Sequence, residues 1–143
     1  MRKRTVTALA GIAVLVAIQF IPVDRSNPPV RGEIDAPKAV SEVFQRSCYD
    51  CHSNETNWPW YSYVAPVSWL VAHDVHEGRE ELNFSTWSGL NEKEESKIVH
   101  KIWEETSEGE MPLKTYLILH PGAKLSDEAL ETLRVWSRSS YEE

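Results

Sequence analysis

Hydrophobic and polar positions divide the chain into an apolar start and a long amphipathic remainder. Residues 5–23, TVTALAGIAVLVAIQFIPV, carry no charge and follow the basic opening Met1-Arg2-Lys3-Arg4. Nineteen helical residues at 1.5 Å each span about 28 Å, close to the roughly 30 Å of a bilayer's hydrocarbon core. This pattern predicts an uncleaved signal anchor, a single transmembrane helix over residues 1–23. A removed signal peptide is the close rival, but its apolar region is normally shorter and ends in small residues of the A-x-A kind. Here the run ends QFIPVDRSNPP. A buried helix of a soluble protein stands behind both. In either exported reading the basic start stays on the cytoplasmic side.

Residues 24–37, DRSNPPVRGEIDAP, are polar with three prolines and one glycine, the composition of a flexible linker. Fully extended, fourteen residues reach at most about 50 Å. The expected domain occupies 38–143. In its first part Val40, Val43 and Phe44 recur at i, i+3, i+4, an amphipathic helix that runs into Cys48. An aromatic loop, NETNWPWYSYVAP, follows the cysteines, and Pro66 is placed to open a second helix. On that helix Val67, Leu70, Val71, Asp74 and Val75 share one side, and Gly78 marks a late turn. Asn91 and Glu94 form a capping-box pair for a third helix with the stripe Ile98, Val99, Ile102 and Trp103, stopped at Gly109. Ser126 caps a last helix whose inner face is Ala129, Leu130, Leu133 and Trp136.

Only YLIL, 116–119, hints at a strand, and it is too short to build a sheet. The pattern therefore predicts an all-α fold of about four short helices joined by long aromatic-rich loops, behind one membrane helix. Loops of that kind in so small a domain need something large to pack on, which points to a cofactor.

Charge narrows the partners. None of the 22 acidic residues precedes Asp24, whereas Arg2, Lys3 and Arg4 do, so the exported part holds 12 basic residues against 22 acidic ones, a formal net charge of −10. Such a surface disfavours nucleic acid, whose binding requires basic side chains on phosphates. It equally disfavours adsorption to anionic lipid and reads as a well-solvated acidic face.

The only two cysteines lie in SCYDCHS, residues 47–53. C-x-x-C followed directly by His is the spacing for covalent haem: the thiols of Cys48 and Cys51 add to the vinyl groups, and His52 becomes an axial iron ligand. A zinc site needs further Cys or His pairs at regular spacing, and only His73 and His76 stand as imaginable partners. A thioredoxin-like pair belongs between a strand and a helix, whereas a helix precedes this one and no strand follows. A plain disulfide in an exported protein is the blandest rival. Export, the preceding helix and the lack of other cysteines favour one covalent haem c.

For the other side of the iron, Met111 is the one methionine besides the initiator, set in the polar, non-helical EGEMPLK. A lone methionine is normally core filler, but here the following Pro112 stiffens the loop. His120, before Pro121, is the most serious rival; His73, His76 and His100 read as solvated helix positions, and an open sixth position completes the choices.

With these residues in place, the chain resembles the cytochrome c-like superfamily and, more narrowly, the small bacterial haem-binding domain family. The resemblance rests on SCYDCHSNETNWPWYSYVAPVSW, DVHEGREELNFSTW and GEMPLKTYLILHPGAKLS and covers about Ala39 to Trp136. It implies a monohaem c-type domain with Cys48 and Cys51 as thioether anchors, His52 as proximal ligand and Met111 matching the distal Met-Pro. It also implies a redox partner protein, either a dihaem cytochrome c peroxidase-like protein or another c-type cytochrome. Trp58, Trp60, Tyr61 and Tyr63 are candidates to line the haem pocket and to donate to its propionates; packing the core is the plain alternative. Arg79 and Lys114 are candidate propionate partners, and a carbonyl at or before Pro66 is a candidate to orient His52. The expectation is an electron carrier rather than an enzyme, in the bacterial inner membrane with its haem domain facing the periplasm or exterior. A peroxidase-like enzyme, a gas sensor with a displaceable sixth ligand and a haem-stabilised assembly module are the rivals.

Overall fold

In the computed structural model, which describes residues 2–139, the amphipathic stripes become helices. The ends of the expected anchor and domain, Met1 and 140–143, lie outside the described residues. The first helix, α1 (Arg2–Ala17), continues through a 3-10 turn at Ile18–Phe20. Its window Lys3–Phe20 is long and apolar enough to cross a membrane, and none of it is buried against the protein.

The remaining helices are α2 (Lys38–Ser47), α3 (Tyr49–His52), α4 (Val67–Glu81), α5 (Glu92–Ser107), α6 (Lys114–Leu119) and α7 (Asp127–Ser139), with 3-10 turns at Trp60–Tyr63 and Pro121–Ala123. Among the described residues the only β pairing is an isolated parallel bridge between Gly32 and Thr86. The all-α expectation holds. Two helices beyond the expected four are α3, a single turn, and α6, which absorbs YLIL.

The stripes explain the core. Val40, Val43 and Phe44 of α2 meet Val99 and Ile102 of α5 and Ala129, Leu133 and Trp136 of α7 in one buried cluster. At its centre Phe44 stacks on Phe84 at 4.5 Å between ring centroids and receives Trp136 edge-on at 5.4 Å. Both predicted caps form. Asn91 Oδ1 accepts from the Glu94 backbone N–H at 3.1 Å while the Glu94 carboxylate accepts from Asn91 N–H at 3.0 Å, and Ser126 Oγ accepts from Ala129 N–H. Gly109, at φ +75°, takes the left-handed conformation that ends α5.

Two expectations change. On α4 the buried positions are Ser68, Ala72 and Val75, while Val67 and Leu70 are exposed. Close approach to α3 and to the 60–63 turn favours small side chains over large apolar ones, which rotates the inner face away from the predicted stripe. The segment 24–37, expected as a flexible linker, is laid along the domain as a strap. Arg31 N–H donates to Ser85 O and Trp87 N–H to Gly32 O, each at 2.8 Å. Asn54 Nδ2 donates to Pro29 O, and Ile34 is buried in the core. The strap lacks local periodicity because the hydrogen bonds that lay it along the domain come from distant parts of the chain.

Truncating Phe44, which is fully buried, to alanine should cost about 3–5 kcal/mol through lost burial and the remaining cavity. Chemical unfolding of the full-length protein in detergent measures this; a cost below about 1 kcal/mol, the range of an ordinary surface change, contradicts the described core.

Candidate haem site

The site begins where α2 ends. Cys48 closes α2 through its N–H to Phe44 O at 2.8 Å and starts α3, where Cys51 N–H and His52 N–H both donate to Cys48 O at 3.1 and 2.9 Å. One helical turn thus presents Cys48, Cys51 and His52 at i, i+3 and i+4 on one side. Both cysteines are free thiols. Burial pushes each up to about 12, helped by Cys51 beside Cys48 and by Asp50 beside Cys51. A redox pair works through a thiolate, which this environment disfavours. Among the described residues no three His, Cys, Asp or Glu side chains converge as zinc ligands.

His52 is fixed through Nδ1, which lies 2.8 Å from Gly78 O and 3.1 Å from Leu82 O. Carbonyls only accept, so Nδ1 carries the proton and the neutral ring keeps its lone pair on Nε2. Burial lowers the imidazole's pKa, and the two carbonyls oppose that shift only in part. The orienting carbonyls therefore come from the end of α4 and not from the neighbourhood of Pro66. Gly78 O also accepts from Leu82 N–H at 2.9 Å, so the imidazole takes its second lone pair. Gly78 lies in the last turn of α4. It is the crossing point, because a Cβ there would stand 2.8 Å from Cys51 O.

Two adjoining cavities, about 280 and 190 Å³, open over this turn. Together they reach the roughly 300–1,000 Å³ of a small-ligand site. Ser47, Cys48, His52 and Met111 line both; the larger runs along Ile98 and Ile102, the smaller along Cys51 and Tyr116. Met111 is held by its N–H to Glu105 O at 3.1 Å, at the exit of α5. Buried Ser47 Oγ lacks a hydrogen-bond partner among the described residues and faces the same space. Two neutral thiols, an imidazole with a bare Nε2, a thioether and apolar walls fit a haem.

The other candidates are placed elsewhere. His120 Nε2 is 2.7 Å from the Tyr61 hydroxyl, and its ring stacks on Tyr116 at 4.2 Å; it lines neither cavity. His73, His76 and His100 are exposed, and His73 pairs with Glu77. Of the aromatic block only Tyr61 comes near Cys51, across a third cavity of about 120 Å³. Trp58 donates to Asn27 Oδ1, whereas Trp60 and Tyr63 are 77% and 60% exposed, and these three line neither of the two larger cavities. Arg79 lines neither of the two larger cavities. Its guanidinium is spent on Ser53 O, Ser26 O, Asn27 Oδ1 and Thr56 Oγ1, tying the strap to the turn after His52. Lys114 is exposed at the start of α6.

Sequence reasoning missed the Gly78 and Leu82 carbonyls, Ser47, and the Tyr116 hydroxyl that donates to Asp50 Oδ2 at 2.7 Å. Only Gly78 left a signal, since a lone glycine inside a helical pattern often marks close backbone approach.

The family model for the haem-binding domain matches residues 13–139. The chain belongs to the haem-binding domain family. No curated protein and no solved structure matches it. The match begins inside α1 and includes the strap, in keeping with the strap's hydrogen bonds to the domain.

Gly78→Ala should destabilise the protein by about 1–3 kcal/mol, the usual cost of forced overpacking. Gly122→Ala, with open space around it, is the control. Equal unfolding midpoints for the two variants would contradict the α3–α4 crossing.

Proposed function

We propose that this chain is a membrane-anchored, exported monohaem c-type cytochrome that passes single electrons. The supporting observation is the His52 clamp: two α4 carbonyls hold Nδ1–H and leave Nε2 as a ligand atom beside a cavity lined by both cysteines. Such an outer partner fixes a ligating histidine's tautomer and raises its basicity. Cys48 and Cys51 would hold the group as thioethers, and His52 and Met111 would be its iron ligands. When bound, the haem supplies one-electron exchange at the potential its ligands set, and a thioether raises that potential relative to a second imidazole. The protein excludes water with Phe84, Ile98 and Ile102 and keeps both ligands in place.

Met111 is favoured over His120 because Met111 lines both cavities with His52, whereas His120 is engaged by Tyr61 and Tyr116. A filled sixth position suits a carrier better than a catalyst. Residues 1–23 anchor the chain with the basic end in the cytoplasm, and residues 38–143 work in the periplasm or outside. The electron partner is a protein, either another c-type cytochrome or a dihaem peroxidase-like one.

The test is expression of the full-length chain with c-type maturation machinery. Haem should stay with the denatured polypeptide, and be released from it when Cys48 and Cys51 are both replaced by serine. The ferric protein should show the weak far-red band of methionine-ligated haem, and Met111→Ala should abolish that band and admit carbon monoxide to the ferrous form. Absence of covalent haem overturns the reading. A band that survives Met111→Ala removes the ligand assignment, and rapid carbon monoxide binding by the unmutated protein favours a sensor or enzyme.

A further inference from the structure

The aromatic block that the haem cavities leave unused lies where α1 meets the domain. Gln19, near the end of the apolar window Lys3–Phe20, is joined to Ala65 at both ends of its amide. Its Nε2 donates to Ala65 O at 3.1 Å, and its Oε1 accepts from Ala65 N–H at 2.9 Å. Six positions downstream of Gln19, Arg25 donates to Ser62 O at 3.1 Å and places its guanidinium 4.5 Å over the Tyr63 ring. The chain leaving α1 is thus clipped to residues 62–65, with no free tether between them.

Around that clip Trp60, Tyr63, Val64, Val67, Trp69 and Leu70 are all exposed, Trp60 at 77% and Leu70 at 54%. Phe20 and Ile21, on the α1 side of the clip, are exposed as well. So many exposed apolar side chains between 60 and 70, two tryptophans and a tyrosine among them, are unusual on a protein surface that meets only water. Eighteen helical residues span about 27 Å, so a membrane-crossing Lys3–Phe20 sets Gln19 at the edge of the hydrocarbon layer. Whatever Gln19 is bonded to then sits at headgroup level, where Trp and Tyr concentrate because their rings are apolar and their N–H or O–H groups stay hydrated.

We propose that the Trp60–Leu70 face is a membrane-docking surface, seated in the outer interface of the same bilayer that α1 crosses. The occupant is lipid, and the inference rests on reading Lys3–Phe20 as a membrane span. The attraction is apolar and aromatic. The exported part's net charge of −10 gives anionic headgroups no advantage, so docking holds on a neutral bilayer and is insensitive to salt. Docking also fixes the domain's tilt. Val67 and Leu70 border the third cavity together with Cys51, so the Cys51 side of the site turns toward the membrane and a soluble redox partner is left the opposite side.

The test uses the full-length, haem-loaded protein in phosphatidylcholine nanodiscs containing a phosphatidylcholine with a diazirine near the top of its acyl chain. After illumination, labelled peptides are mapped by mass spectrometry. Labelling within both 3–21 and 60–70 is expected, unchanged between low and high salt. Trp60→Ser combined with Trp69→Ser should cut the 60–70 signal several-fold and leave the 3–21 signal and the haem spectrum intact. Labelling confined to 3–21 overturns the docking face while the anchor stands, even if two chains cross-link there. Labelling of neither segment overturns the anchor as well.

Discussion

The imidazole of His52 is held by two carbonyls at the last turn of α4, Gly78 O at 2.8 Å and Leu82 O at 3.1 Å. For both to reach one ring nitrogen, α4 must end over α3, and the two helices must come close enough that Gly78 has no room for a side chain. Small residues meet that demand along the whole contact: Ser68, Ala72 and Val75 are the buried positions of α4. The α4 carbonyl end also carries the partial negative charge of the helix, which suits an N–H donor. A half-buried, neutral ring with its proton on Nδ1 is the result.

The rest of the chain keeps that turn in place. Phe84 N–H donates to His52 O at 2.8 Å, and its ring faces the His52 ring edge-on at 6.5 Å while stacking on Phe44. The ligand turn is thereby tied to the core that α2, α5 and α7 build. Arg79 binds the turn after His52 to the strap, and the strap pairs with residues 85–87. The Gln19–Ala65 and Arg25–Ser62 bonds then join this rigid body to α1, so the distance between site and apolar helix is fixed by structure and not by a swinging linker.

Local patterns carried the parts of this arrangement that local physics decides. The α2 stripe, the Asn91–Glu94 box and the α7 face follow from helical periodicity and capping, and Cys48, Cys51 and His52 stand together because one turn of helix puts i, i+3 and i+4 on one side. Met111, which lines both cavities with His52, stood out because a methionine in a polar loop has no core to fill. What stayed hidden depends on long-range contacts. The strap looks like a linker because the partners that fix it to the domain lie between 25 residues away, as Asn54 does from Pro29, and some fifty, as Ser85 does from Arg31. The inner face of α4 was misjudged because close packing chose Ser68 and Ala72 over Leu70. Trp58, Trp60 and Tyr63 drew attention as aromatics beside the motif, yet composition cannot tell a ring that faces a cofactor from one that faces outward.

Nitrogen-15 NMR of the histidines in the haem-loaded, full-length protein tests the central claim most directly. The His52 clamp predicts a slowly exchanging proton on His52 Nδ1, with Nε2 as the nitrogen perturbed by iron. A His52 Nδ1 without a proton, or iron-induced shifts at His120 with none at His52, would contradict it.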